Sequence, residues 1–390
     1  MSNEEQAPQG FVAEGFEDVR AEFSAIIFDE RDDYAAQLSA YLDGEQVVDL
    51  WTGPEMTGES LTGVFSCTKG AAYLVVALLV QDGVLDLDQK VGHYWPEFAV
   101  EGKQDLLLRE MMAHRAGVVG VDDGFSLAEI TDDRAIAERL AGRRPYWRPG
   151  AAFGYHALVA GALVGEVVRR VTGRTLQQVY QERIRAPYDL DFHLGLPEEL
   201  EPRFLTTLPM LTTAREQALL EASTPGPHSL LAIAYNRIRP GSPALETFPN
   251  LPEFRRNGPA SVGGVAAARG LARMYAAATS SVDGRPPLLT PRTVAAFGQI
   301  QSVGHNLVSG SHGAYAVGFG PVSEVYRVLG AGAFGHGGAD GSHAFADPRS
   351  GLAYGYSRRR YSFPGGAAPE NERLVKALHA AATRVRADRG

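Results

Sequence analysis

The chain of 390 residues contains one cysteine, Cys67. A single cysteine excludes a disulfide within the chain and a metal cluster built on cysteine ligands. Cys67 stands next to Ser66, but adjacent residues of a helix point about 100° apart. We therefore expect Cys67 to be a small buried core residue that faces away from the side of the helix that Ser66 occupies.

Long runs of one charge and long apolar runs are also absent. The net charge is -9, and no stretch rich in Lys and Arg offers a surface for nucleic acid or an anionic membrane. No uninterrupted apolar segment is long enough to cross a bilayer, and residues 1–6 are polar and acidic, unlike a secretory signal. These absences predict a cytoplasmic protein whose main partner is neither nucleic acid nor a membrane, which is compatible with a small-molecule partner. They leave a homo-oligomer open.

The apolar pattern changes along the chain from helix and strands to helices and back to strands. It predicts a helix over residues 16–28 and two strands that flank the turn dipeptide Asp43-Gly44. The pattern from 91 to 185 is mainly helical and includes one helix over 127–141. Near the C terminus we predict strands at 316–319, 324–329, 343–346 and 352–357, followed by a helix over 370–385.

Strands at both ends of the chain around a helical middle indicate an α+β fold, an α/β sandwich. In this fold an antiparallel sheet built from both termini is flanked by helices, and a mainly helical domain is inserted into it. We predict a discontinuous α/β domain of residues 1–64 and 265–390 and a mainly helical domain of residues 65–264. The active site is expected at their interface.

The segment Val64-Phe65-Ser66-Cys67-Thr68-Lys69-Gly70 opens an apolar run that predicts a buried helix. Ser66 and Lys69 then lie three residues apart on one face of its first turn. A serine nucleophile needs a base and positive potential, which Lys69 and the helix N-terminus supply. Burial also lowers the pKa of a lysine, so that it becomes a proton acceptor. Taken alone, the same spacing is more often an N-cap followed by a solvated lysine.

A second segment, Gly154-Tyr155-His156-Ala157, precedes another apolar helix. An aromatic residue there is more often a plug of the core than a catalyst. Beside a Ser66-Lys69 pair, however, the Tyr155 phenol has a specific role, because a nearby ammonium lowers its pKa. As a partial phenolate it would take the proton of the serine and return it to the leaving group.

The third segment, residues 334–341, is rich in glycine and leads into a strand. Such a segment lets a substrate lie against the backbone, whose N–H groups stabilise an oxyanion. A plain glycine turn is the alternative. A metal site of His336, Asp340 and His343 is disfavoured, because the chain lacks the HExxH pair of hydrolytic zinc sites. The chain also lacks a GxSxG elbow, so we expect His114 to cap its own helix rather than to join a Ser-His-Asp triad.

Together these segments resemble a known family. The chain is similar to the serine β-lactamase-related hydrolases, which include class C β-lactamases and penicillin-binding proteins, and most closely to family VIII carboxylesterases. The resemblance runs from about residue 36 to residue 359 and rests on three motifs in this order: Ser66-Cys67-Thr68-Lys69, Tyr155-His156-Ala157 and His336-Gly337-Gly338.

The resemblance implies a role for each motif residue. Ser66 would be the acylated nucleophile, Lys69 its proton partner and Tyr155 the general base or acid, with no cofactor and no metal. Lys69 and Tyr155 titrate as a coupled pair, so which of them takes the first proton stays open. The backbone N–H groups of Ser66 and Ala339 would form the oxyanion hole. The expected substrate-binding residues are His156, His336, Gly337 and Gly338. For His156, packing in the core is the alternative.

Two departures from the family pattern bear on the substrate. Ala157 stands where the β-lactamase and peptidase motif has Asn, and His336 replaces the cationic Lys of Lys-Thr-Gly. Both changes remove contacts for penicillins and peptides. We therefore predict a serine carboxylesterase for small to medium carboxylic esters. A β-lactamase, an amide or oligomer hydrolase, a D-aminopeptidase, an acyltransferase or a catalytically silent ligand binder are the alternatives.

Overall fold

A computed structural model of the protein describes residues 7–30, 33–238 and 243–389. Residues 1–6, from which we predicted the absence of a secretory signal, lie outside these ranges. The strands are β1 (Gln9–Val12), β2 (Ala36–Leu42), β3 (Glu45–Thr52), β4 (Thr62–Gly63), β5 (Phe192–His193), β6 (Val265–Ala266), β7 (Ser302–His305), β8 (His312–Tyr315), β9 (Gly320–Pro321), β10 (Phe334–Gly337), β11 (His343–Asp347) and β12 (Leu352–Arg358).

The helices lie mostly between β3 and β7 in the sequence. They are α1 (Glu17–Asp29), α2 (Thr68–Gln81), α3 (Val91–Tyr94), α4 (Leu108–Met112), α5 (Leu127–Ile130), α6 (Asp133–Ala141), α7 (Ala160–Thr172), α8 (Leu176–Tyr180), α9 (Ala214–Ala222), α10 (Leu230–Ala234), α11 (Pro252–Asn257), α12 (Ala268–Thr279), α13 (Pro291–Gly298) and α14 (Glu370–Arg389). Short 3-10 helices include Phe65–Cys67, and α8 continues into a π-helical turn, Gln181–Arg185.

Among the described residues, seven strands form one antiparallel sheet in the order β1-β3-β2-β12-β11-β10-β9. At its centre β2 pairs with β12, from Ala36 opposite Arg358 to Leu42 opposite Leu352. Strands from the two ends of the chain are thus neighbours, which confirms the predicted α+β fold. Between β2 and β3, Asp43 and Gly44 both have positive φ angles, +52° and +90°, as a tight hairpin turn requires.

Helices cover both faces of this sheet. On one face α1 and α14 pack against each other, and Phe23 and Leu378 share an apolar core with Tyr354 of β12. On the other face α12 packs against β2, β11 and β12, and its core is continuous with that of the helical region. Every residue of β2 and β12 is therefore buried. In the part of the chain that the structure describes, every helix is too short or too polar to span a bilayer.

A second, small sheet joins β4, β6 and β5. Its strands β4 and β6 pair with Thr62 opposite Ala266, so the chain enters and leaves the helical region at one place. This place lies next to the predicted boundaries at 64/65 and 264/265. It supports, as a proposal, the division into residues 1–64 with 265–390 and residues 65–264.

Three predicted elements are wrong. Residues 316–319 form a bend instead of a strand, because Gly318 has a φ of +86° and the Ala316 N–H donates to the Phe319 carbonyl. Residues 324–329 begin at the last residue of a 3-10 helix, Val322–Glu324, and continue as turns. The predicted helix 127–141 is divided into α5 and α6, because the Asp132 side chain caps the N-terminus of α6.

Candidate active site

Ser66 lies in the 3-10 turn that leads into α2. The preceding Phe65 has a φ of +44°, in the left-handed region that bulky residues rarely adopt. This turn is fixed from outside: the Val64 N–H donates to the Gly264 carbonyl at 3.1 Å, and the Thr68 hydroxyl accepts from the Gly264 N–H at 2.9 Å while it donates to the Phe65 carbonyl. The strained backbone thus holds Ser66 at the start of α2.

Lys69 is fully buried beside Ser66. Its Nζ lies 3.2 Å from the Ser66 Oγ, 2.6 Å from the Ala157 carbonyl oxygen and 2.9 Å from the Ser261 carbonyl oxygen. Burial lowers the pKa of Lys69 to about 7. A neutral amine has two hydrogens and one lone pair. When the two carbonyls accept both hydrogens, the lone pair is left for the Ser66 hydroxyl.

Tyr155 is the second side chain that contacts the Ser66 hydroxyl. Its hydroxyl lies 2.9 Å from the Ser66 Oγ, and the Lys69 Nζ is 5.0 Å from the centroid of its ring. Burial raises the pKa of Tyr155 well above its usual range, and the nearby Tyr235 and Tyr315 phenols raise it further. The expectation of a lowered pKa for Tyr155 is therefore wrong, because removal from water disfavours the phenolate more than the hydrogen bond with Ser66 favours it.

The loop between β7 and β8 holds Tyr155 in place. The Asn306 Oδ1 accepts from the Tyr155 N–H at 3.2 Å and also from the N–H groups of Val308 and Ser309, at 3.0 and 3.2 Å. The Tyr155 and Tyr315 rings stack with centroids 5.8 Å apart and planes 6° from parallel. The sequence indicated neither Asn306 nor Tyr315. The sequence around Asn306 could at most have predicted a local turn closed by its side chain. Such a turn does not indicate a contact with Tyr155.

Two buried histidines lie behind Tyr155. The His156 N–H donates to the His114 Nδ1 at 3.2 Å, and the His156 Nδ1 lies 2.8 Å from the Gly154 carbonyl oxygen. Burial lowers the pKa of His156 to about 4 and that of His114 well below its usual range. His114 thus binds the Tyr155-His156 backbone through its ring. Since only 1% of the His156 surface is exposed, its role in substrate binding stays a prediction.

The third motif lies on β10, which is a strand and not a plain turn. Along the described chain β9 pairs only with Phe334 and Gly335, whereas β11 pairs as far as Gly337. The edge of β10 is therefore open from His336 onward. Its end approaches the Ser66 turn, since the buried Cys67 thiol donates to the His336 carbonyl at 3.2 Å. The expectation of a buried core cysteine is confirmed.

Contacts at the end of β10 also favour the predicted oxyanion hole. A Cβ atom at Gly338 would lie only 2.7 Å from the Val64 carbonyl oxygen, so the backbones approach closely there. Within the described residues, the N–H groups of Ser66 and Ala339 have no hydrogen-bond acceptor. Their assignment to the oxyanion hole stays a prediction, as does substrate binding by Gly337 and Gly338.

His336 is neutral in this site. Its ring lies 6.0 Å from the Tyr155 ring, and its Nδ1 is 2.9 Å from the Gly337 carbonyl oxygen. Burial lowers the pKa of His336 to about 3, and Lys69 lowers it further. Its buried Nε2 has no partner among the described residues. His336 therefore carries no positive charge for a substrate carboxylate, and its predicted contact with substrate is untested.

The polar groups beyond β10 are bound to each other. The Ser342 hydroxyl donates to an Asp340 carboxylate oxygen at 2.5 Å, and the His343 Nδ1 lies 2.6 Å from the Tyr326 hydroxyl. Among the described residues, no group of three or more His, Cys, Asp or Glu side chains has the geometry to hold a metal ion.

Comparison with known proteins relates this geometry to a family. The chain is 30% identical over 361 residues to Esterase/beta-lactamase LipL of Mycobacterium tuberculosis, a match that covers 84% of this chain and 77% of LipL. EstA from Arthrobacter nitroguajacolicus Rue61a has a similar structure, with a TM-score of 0.88 and 40% identity over 96% of this chain and 98% of EstA. A family VIII carboxylesterase has a TM-score of 0.84 and 29% identity over 96% and 99% of the two chains.

The family model described as Beta-lactamase matches residues 26–377, which include all three motifs and both halves of the sheet. On this match, and on the likeness to LipL and EstA, the chain belongs to the β-lactamase family, the serine hydrolases that its motifs resemble.

Proposed function

We propose that the protein is a serine carboxylesterase that cleaves small to medium carboxylic esters through an acyl-enzyme on Ser66. The observation that carries this proposal is the position of the Ser66 Oγ, within 3.2 Å of the Lys69 amine and 2.9 Å of the Tyr155 phenol. The names of the relatives, Esterase/beta-lactamase LipL and a family VIII carboxylesterase, support ester hydrolysis.

In the proposed acylation, the neutral Lys69 amine takes the Ser66 proton while the Oγ attacks the ester carbonyl carbon. The pKa of about 7 makes this amine available near neutral pH. The Ser66 and Ala339 N–H groups stabilise the oxyanion. Tyr155, protonated because its pKa is raised, gives its proton to the departing alkoxide. The Lys69 ammonium then returns a proton to the phenolate, and water hydrolyses the acyl-enzyme by the same transfers in reverse.

The residues around Ser66 favour esters over β-lactams and peptides. Ala157 offers no side-chain amide to bind an acylamino group, and its carbonyl is already bound to Lys69. His336 is neutral, so it does not attract a carboxylate. An ester without either group needs neither contact, and its alcohol is a better leaving group than an amine.

The direct test is hydrolysis of p-nitrophenyl butyrate by purified variants. We expect Ser66→Ala to reduce activity to background and Tyr155→Phe to lower kcat about 10²-fold to 10⁴-fold, the range for loss of a general acid or base. Tyr146→Phe is the matched control, because it removes a phenol that binds Asp122 outside the site. Activity retained by Ser66→Ala would reject the assignment.

The alternative functions of this fold are tested in parallel. A chromogenic cephalosporin and a D-phenylalanine amide are turned over beside the ester, and the ester is expected to have the highest kcat/KM. A higher value for the cephalosporin or the amide would replace the esterase proposal by a β-lactamase or an amidase. Intact mass after treatment with a fluorophosphonate tests the silent binder, since a silent binder would gain no adduct on Ser66.

A further inference from the structure

The carbonyl of Ser261, which accepts from Lys69, belongs to a loop of residues 258–263 that is held from outside the active site. On one side, α7 contacts the loop through Gly161, whose N–H donates to the Ser261 hydroxyl at 2.7 Å. A Cβ atom at Gly161 would lie 2.2 Å from the Ala260 carbonyl carbon, so helix and loop are in direct backbone contact. The loop cannot move toward α7.

On the other side, two side chains from α6 and α8 bind the same loop. The Asp133 Oδ2 accepts from the Ala260 N–H at 2.9 Å and from the Gln177 Nε2 at 2.8 Å. The Gln177 Nε2 also donates to the Gly258 carbonyl at 3.2 Å. Asp133 thus holds the backbone of Ala260, the residue that precedes Ser261, and Gln177 holds both Asp133 and the start of the loop.

The Asp133 carboxylate is only partly compensated by its surroundings. Its Oδ1 is buried without a hydrogen-bond partner in the described part of the chain, and burial raises the pKa of Asp133 to about 6. The neighbouring cations are engaged elsewhere, since Arg134 pairs with Glu138 and Arg169 with Glu166. Burial of a carboxylate without a cation destabilises the folded state. An apolar residue would avoid this destabilisation, but it could not accept the hydrogen bond from the Ala260 N–H.

We infer that Asp133 and Gln177 are positioning residues for Lys69: they fix the loop so that the Ser261 carbonyl orients the lysine amine toward Ser66. The inference rests on the proposed function, because it assigns Lys69 as the proton acceptor. Neither side chain touches the reacting atoms. Their effect on the reaction passes through two residues of the backbone, from the Ala260 N–H to the Ser261 carbonyl and then to the Lys69 Nζ.

The expected consequence concerns the orientation of the amine. Without Asp133, the Ala260 N–H loses its acceptor and the Ser261 carbonyl is free to move away from Lys69. A displacement of about 1 Å near a reacting group costs on the order of 10²-fold in rate. The Lys69 ammonium also loses a fixed acceptor. Its pKa, and with it the acidic limb of the pH–rate profile, should therefore move to lower pH.

The test compares Asp133→Ala, Asp133→Asn and Gln177→Ala with Glu138→Ala, which removes an exposed carboxylate from the same helix. With p-nitrophenyl butyrate, we expect Asp133→Ala to lower kcat about 10-fold to 10²-fold with little change in KM. It should also shift the acidic limb to lower pH. Asparagine can present its oxygen to the Ala260 N–H, so Asp133→Asn should keep kcat within about threefold. Glu138→Ala should match the unmodified protein.

Melting temperatures and the rate of Ser66 modification by a fluorophosphonate are measured for each variant. If Asp133→Ala does not fold, Gln177→Ala decides the matter, with an expected loss of kcat at unchanged KM. Unchanged kcat and acidic limb in both alanine variants would overturn the inference, and so would equal losses in Asp133→Asn and Asp133→Ala. Ser66→Ala in the same assay separates the two proposals: an active Ser66→Ala rejects the esterase assignment itself.

Discussion

The Lys69 amine shows how much one residue depends on its surroundings. In the unfolded chain it is an ordinary solvated cation, and in the folded protein it is buried between two carbonyl oxygens with a pKa of about 7. Folding thus turns a permanent cation into a group that gains and loses its proton near neutral pH. Burial also raises the pKa of Tyr155, so near pH 7 an amine that is only partly protonated lies beside a neutral phenol.

The lowered pKa of Lys69 predicts the pH dependence of the reaction. Because Lys69 accepts the Ser66 proton only when it is uncharged, kcat/KM should rise with pH and reach half of its plateau near pH 7. The check is a pH–rate profile with p-nitrophenyl butyrate, read at a wavelength where the product signal does not depend on pH. Lys69→Arg keeps the charge at every pH and should be inactive throughout. A profile that is flat from pH 6 to pH 9 would contradict this role.

At the scale of elements, the site depends on backbones that approach more closely than side chains would allow. Helix α7 meets the loop of residues 258–263 at Gly161, where any Cβ would overlap the Ala260 backbone. Gly165, one turn further along the same helix, is different. A Cβ atom there would be 3.8 Å from the Leu176 Cβ, an ordinary contact.

The two glycines of α7 therefore predict opposite results. We expect Gly161→Ala to lower the free energy of unfolding by about 1 to 3 kcal/mol through overpacking and to reduce kcat, because it displaces the loop that binds Lys69. Gly165→Ala should be neutral, or stabilising by up to about 1 kcal/mol through its higher helix propensity. Denaturant unfolding and ester hydrolysis of both variants are the measurements. Equal stability of the two variants would contradict the close approach.

At the scale of the whole molecule, the sheet joins the two ends of the chain, and one buried ion pair lies at that junction. Arg358, the last residue of β12, donates to the Glu370 carboxylate of α14 at 2.5 Å, and both side chains are buried. The Tyr356 hydroxyl donates to the same carboxylate at 2.6 Å. The C-terminal helix is thus bound to the central strand pair through polar contacts as well as through its apolar face.

Removal of this carboxylate should destabilise the entire fold. We expect Glu370→Ala to cost about 3 kcal/mol, because it removes the nearer of the two carboxylates that pair with the buried Arg358 and leaves only that of Glu30, 3.7 Å away. Glu372→Ala, two residues along α14, breaks an exposed pair with Lys376 and should change stability by less than about 1 kcal/mol. Thermal and denaturant unfolding of both variants check the difference. A similar loss of stability in Glu370→Ala and Glu372→Ala would show that the buried ion pair contributes no more than the exposed one.

The sequence by itself determined the local chemistry of this protein. Residues three positions apart lie on the same face of a helix. The spacing of Ser66 and Lys69 was therefore sufficient to place both side chains together at the start of α2. Alternating and turn-forming residues likewise predicted β2, β3, β11 and β12, and hence a sheet from both termini. The strands predicted at 316–319 and 324–329 failed because apolar residues there are buried in bends and turns, which an apolar pattern alone does not distinguish from a strand.

Only the tertiary structure decided which groups meet and how they titrate. The contacts of Asn306 and His114 with the Tyr155 segment, and of Asp133 with the Ala260 peptide, join residues 42 to 151 positions apart. No local pattern specifies such pairs. No local pattern specifies the pKa of Tyr155 either. From Lys69 alone we predicted a lowered pKa, whereas the pKa is raised. A pKa depends on how completely folding removes a group from water, and that depends on every segment that packs around it.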